Sequence, residues 1–141
     1  MTKEILNIKI VSEPDYDPDM SYLGEFSNDH KPGCIEHEPN DNRSYPYFHP
    51  ANTEFANEDY KRMLAYENGL WNMISIHAVA EIKINDTLET IRSGGLYGIE
   101  SDSDKEHFME VGAEETCELR DMLKELGFTD SEVNIEIEMD F

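Results

Sequence analysis

Apolar and polar residues alternate most strictly from Trp71 to Ile84. Ile74, Ile76, Ala78, Ala80, Ile82 and Ile84 fall on one side, and Met73, Ser75, His77, Val79, Glu81 and Lys83 on the other. A period of two over a dozen residues predicts a strand with one face in a core. Asn85-Asp86 then predicts a turn, and residues 88–99 the returning strand of a hairpin, interrupted by a bulge or bend at Ser93-Gly94-Gly95. Ile5, Leu6, Ile8, Ile10 and Val11 predict an opening strand that Pro14 and Pro18 bring to an end. Residues 22–26 predict a second, short strand. Val133, Ile135, Ile137 and Met139, alternating with Asn134, Glu136, Glu138 and Asp140, predict a last one.

Helical periodicity appears twice. Residues 57–68 carry Tyr60, Met63 and Leu64 as a buried stripe, with Asn57 as the cap and Gly69 as the stop. Residues 104–126 form a longer pattern, in which Ser103 and Glu106 predict a capping box and Gly127 ends the helix. Between residues 27 and 52 there is little periodicity, so a long irregular loop is expected there. The order of elements predicts one α+β domain over 1–141. Its antiparallel-rich sheet has about four to five strands, with two main helices packed on one face.

Charge changes this picture. The 141 residues include 32 Asp and Glu against 11 Lys and Arg, a formal net charge of −21. Such a field repels nucleic acid and membrane surfaces and attracts basic proteins or cations. Two cysteines without a paired motif, and no apolar run of about 20 residues, predict a cytoplasmic protein with free thiols. On a wheel of about 100° per residue, Glu106, Glu110, Glu114, Glu118, Asp121 and Glu125 share one arc of the second helix. Val111, Leu119, Met122 and Leu123 lie in the next arc. Like charges four apart oppose helix formation, so this face is costly unless something uses it. Glu136 and Glu138 repeat the theme on the last strand. Tyr97, close in sequence to Glu100, Asp102 and Asp104, is expected to stand out of the bulged strand as an aromatic anchor for a basic partner.

Other chemistries find less support. Asp15, Asp17 and Asp19 begin like a calcium loop, but Met20 stands where the turn glycine belongs and Phe26 where the bidentate acid belongs. His30, Cys34, His37 and His49 have ligand-like spacing without a zinc signature, and are weak metal candidates. His77 reads as structural. The glycine-rich 94–98 segment has no P-loop lysine. A catalytic framework is not evident, so neither an enzyme nor a cofactor is expected.

Tyr22-Leu23-Gly24 and the run Ser93-Gly94-Gly95-Leu96-Tyr97-Gly98-Ile99-Glu100-Ser101-Asp102-Ser103-Asp104 resemble motifs of a family of short acidic proteins encoded by phages and mobile elements. The likeness extends over most of the chain, and no catalytic residue is carried with it. It implies a setting in which small acidic proteins block host defence, anti-CRISPR and anti-restriction proteins among them. The expected partner is then a basic host defence nuclease, with a CRISPR effector favoured. The expected mode is binding in place of nucleic acid, in the host cytoplasm. A metal-binding or general interaction module of a mobile element is the alternative, and an inhibitor acting at an allosteric site is a variant of the first reading.

Overall fold

The computed structural model describes residues 2–36 and 45–140. The fold is α+β, and the chain divides into two compact units, Met1–Tyr16 with Met73–Phe141 and Asp17–Asn72. The larger unit contains β1 (Lys3–Pro14), β5 (Met73–Ile84), β6 (Thr87–Arg92), β7 (Leu96–Glu100), the long helix α2 (Lys105–Glu125), the short α3 (Asp130–Val133) and β8 (Ile137–Asp140). The smaller contains β2 (Gly24–Ser27), β3 (Ile35–Glu36), β4 (Tyr47–Pro50) and α1 (Ala56–Glu67).

In the larger unit the sheet order is β6-β5-β1-β8, with β7 also pairing with β5. β5 runs antiparallel to β1, β6 and β7, whereas β8 joins β1 in parallel, Ile8 opposite Ile137 and Ile10 opposite Met139. The alternation in β5 places Ala78, Ala80 and Ile82 on the face that meets α2. There they bury with Ile8, Leu119, Leu123, Phe128 and Val133. A second cluster of Ile10, Ile76, Ile99 and Val111 continues the core. Leu119 and Leu123 are fully buried, each contributing about 1.5–3 kcal/mol. The β5–β6 hairpin turns at Asn85 and Asp86, both at positive φ (48° and 69°), the backbone that a two-residue turn between twisted strands requires.

The predicted elements differ from the observed ones where local signals competed. α2 is capped by Asp104, whose carboxylate accepts from the His107 amide at 2.9 Å. Ser103, the expected cap, instead donates its hydroxyl to the Glu100 carbonyl at 2.7 Å. The charged group has the advantage at a helix N-terminus, where the peptide dipoles favour an anion. The reciprocal capping box forms at α3, between Thr129 and Glu132. α1 begins one residue before Asn57, because a 3₁₀ turn at Thr53–Phe55, capped by Asn52, leads straight into it. The predicted last strand is shorter, since residues 130–133 coil into α3 and pairing with β1 starts only at Ile137.

In the smaller unit β2 and β3 flank β4 in an antiparallel sheet. The short strand expected at residues 22–26 is β2, and the stretch expected to be irregular contains two further short strands, β3 and β4. Phe48 is fully buried, with the Phe26 ring 5.2 Å away and the Tyr60 ring of α1 at 5.6 Å. Of the two main helices, α2 covers the larger sheet, while α1 packs with the smaller one. The indole of Trp71 donates to the Arg62 carbonyl at 2.9 Å and carries the Arg62 guanidinium 3.7 Å above its ring.

Candidate functional site

α2 turns Val111, Gly112, Thr116, Leu119 and Leu123 toward the sheet. The opposite consequence of the same period is that Glu106, Glu110, Glu114, Glu118, Asp121 and Glu125 are all exposed. From Glu106 to Glu118 the carboxylates recur every four residues, about 6 Å of helix axis. Among the described residues, none of these four forms an ion pair. Lys124, the one lysine beside this arc, is drawn 2.8 Å from Asp130. That contact raises the lysine's pKa and lowers the aspartate's, through a hydrogen bond and charge attraction.

The acids of β8 do not join this face. Ile137 packs into the core beneath α2, so by strand alternation Glu138 points to the other side of the sheet, in register with Lys9. Glu136 is exposed in the connection before the strand. The structure thus separates Glu138 from the α2 carboxylates by the thickness of the sheet. The open face of the sheet carries a groove of about 500 Å³ lined by Asn7, Lys9, Glu13, Glu81, Arg92 and Asp140 among others, of mixed charge.

Tyr97 lies on β7, 57% exposed, and two irregularities set it there. The pairing slips between Ile74 and Ile76, where two steps of β5 face the three steps of β7 from Ile99 to Leu96, and Gly98 takes φ +71° with its amide held by the Asp15 carboxylate at 3.0 Å. Before β7, Ser93-Gly94-Gly95 forms the expected bulge. The Ser93 amide keeps the ladder by donating to the Ala78 carbonyl, but the Ala78 amide donates to the Ser93 hydroxyl at 2.9 Å instead of to a carbonyl. Glu100 ends β7, Asp102 is exposed in the turn that follows, and Asp104 is committed to capping α2.

Sequence reasoning missed Glu115. It is a buried acid on the apolar side of α2, 8% exposed, and one carboxylate oxygen accepts from both the Ser93 hydroxyl and the Gly95 amide at 2.7 Å. Its place four residues from both Val111 and Leu119 puts it in the buried stripe, a signal hidden by the many acids around it. His77 is also buried. Its Nε2 is 3.1 Å from the Ser75 hydroxyl and 4.0 Å from Glu13, which the Arg92 guanidinium already engages at 2.9 Å. Nδ1 faces the Ser93 carbonyl at 3.4 Å. Ser75 is 1% exposed and Glu13 sits on the same ring nitrogen as the serine, so the group lacks the geometry of a nucleophilic triad.

Among the described residues no three His, Cys, Asp or Glu side chains gather as a metal site. His30 stacks edge-on against Tyr47, His49 Nε2 contacts the Asp29 carbonyl at 2.6 Å, and Cys34 is a free thiol. His37 lies outside the described residues. Asp15 is taken by Gly98, and hydrogen bonds from Ser21, first from its side chain and then from its amide, lower the pKa of Asp19. No helix of the described residues is long and apolar enough to cross a membrane. Comparison with protein-family models, with curated proteins and with solved structures finds no match for this chain.

Proposed function

We propose that this chain is an acidic inhibitor that binds a nucleic-acid-binding defence nuclease, a CRISPR effector in the favoured case, and blocks its basic channel. The observation that carries the reading is the row Glu106, Glu110, Glu114 and Glu118, exposed on one 21-residue helix and without an ion pair among the described residues. A solvated helix gains nothing from four like charges in series, whereas a groove lined by Lys and Arg to hold phosphates gains from all of them. Tyr97 adds an aromatic contact of the kind that concentrates binding energy at protein interfaces. The likeness of residues 22–24 and 93–104 to phage and mobile-element proteins supports a target in host defence, met in the host cytoplasm. The net charge of −21 disfavours direct contact with nucleic acid.

The test is a binding titration against a purified CRISPR effector nuclease at ionic strengths from low to high, with and without its guide and target nucleic acid. The reading expects affinity to fall steeply with salt and nucleic acid to compete. Tight binding that ignores both salt and nucleic acid sinks the mimicry version, and absence of binding sinks the inhibitor itself.

A further inference from the structure

Glu115 is a buried carboxylate that the proposed binding face does not use, and its surroundings form one continuous chain of contacts. Its oxygen holds the Gly95 amide and the Ser93 hydroxyl, both at 2.7 Å. Gly95 in turn lies against His77, so closely that a Cβ there would strike the ring. Tyr97 also stands against that ring, its centroid 5.4 Å away at 86°. Gly94 adjoins the same helix, since a Cβ on it would meet the Glu118 carboxylate at 3.4 Å. A charged acceptor binds its donors about twice as strongly as a neutral one, and the Ser93 hydroxyl, on a buried residue, has little water to turn to in its place.

The geometry points to Glu115 as a positioning residue: its carboxylate latches the Ser93–Gly95 bulge onto α2 and, through Gly95 and His77, fixes the ring of Tyr97 relative to the carboxylate row of the helix. A bulge without this tie carries two glycines in sequence and has little to hold it in one conformation. With the tie, Glu118 and Tyr97 belong to one rigid surface, because Gly94 to Tyr97 spans at most about 10 Å of chain. A rigid partner-facing surface loses less ordering entropy on binding than a mobile one. The consequence for partner binding rests on the proposed function; the latch itself does not.

Backbone amide exchange by NMR on the full chain tests it, comparing wild type with E115Q and E115A, and using the Ile82 amide in the same spectra as the measure of global stability. A glutamine carbonyl can accept both donors, so E115Q is expected to keep the protection of Gly95 and Ala78. E115A is expected to speed exchange at both by about tenfold or more relative to Ile82, and to shift the Tyr97 ring resonances as the ring leaves His77. Unchanged Gly95 exchange in folded E115A, or an unmoved Tyr97 ring, overturns the latch. Should E115A not fold, S93A removes the relay from the other side and is expected to expose the Ala78 amide; continued protection there overturns the proposal equally. Nuclease affinity separates the two readings. Where exchange shows the latch in wild type and its loss in E115A, loss of affinity in both E115A and Y97A links it to binding. If neither variant changes affinity while exchange behaves as expected, the latch stands and the Tyr97 part of the binding reading falls.

Discussion

Gly95 presses its backbone onto the imidazole of His77 at φ +86°, leaving no room for a side chain between them. Gly95→Ala therefore meets two penalties, a left-handed backbone and a clash with a buried ring. The expected loss is about 3 kcal/mol, read from urea denaturation. Gly98→Ala makes the comparison, since Gly98 has a similar φ but open space around it, and its loss should be about 1 kcal/mol.

Stability and binding should move in opposite directions at the acidic row. Glu110→Lys replaces two repulsive neighbours, Glu106 and Glu114, by two attractive pairs, and thermal unfolding should show a gain of about 1 kcal/mol. The same change should weaken nuclease binding several-fold at low salt. Raising the salt should stabilise the wild type more than Glu110→Lys, in which the two new attractive pairs are screened together with the remaining repulsion. A row retained only for solubility would show the gain in stability without the loss in binding.

Phe48 organises the smaller unit, being fully buried between Phe26 and Tyr60. Phe48→Ala should cost about 3–5 kcal/mol within that unit. Loss of amide protection in β2 and β4 is the direct readout. Gly24→Ala should act on the same element, because a Cβ at Gly24 would strike both the Phe48 ring and the His49 carbonyl.

Acid should loosen α3 locally. Glu132 has a folded pKa below the usual glutamate range, chiefly because the Thr129 amide donates to its carboxylate. Asp130 is lowered by its bond to Lys124. A lowered folded pKa gives stability that is present above the unfolded pKa and lost as the pH falls through the folded one. The Thr129 and Glu132 amides should therefore lose relative protection as the pH drops from about 5 toward 3, and in Glu132→Gln that step should flatten. On the alkaline side, the raised pKa of Lys124 keeps its contribution until the lysine deprotonates.

The frame of the larger unit was legible because its signals are periodic and long. β5 alternates over twelve residues, and α2 shows its apolar and acidic arcs over twenty-one. What escaped lacks length or hides in composition. β3 and β4 have two and four residues, too few for a period to show, and their strand character comes from pairing with each other and packing under Phe48. At the start of α2 two adjacent residues could both cap, and charge decided between them. Glu138 looked like part of one acidic array, yet only the parallel pairing of β8 reveals which side of the sheet it faces. Glu115 went unnoticed because an acid in the buried stripe looks in sequence like the exposed acids around it, while its role depends on a bulge twenty residues away.

The parallel seam between β1 and β8 has a kinetic meaning. Ile8 and Ile137 stand side by side in the sheet although nearly the whole chain separates them. Local hairpins such as β5–β6 can form in microseconds, but this seam closes only after the largest loop entropy in the molecule has been overcome. Contacts so distant in sequence slow folding. On a ribosome β8 is made long after β1, so the nascent chain passes through a stage in which β1 presents an open edge where β8 will later pair.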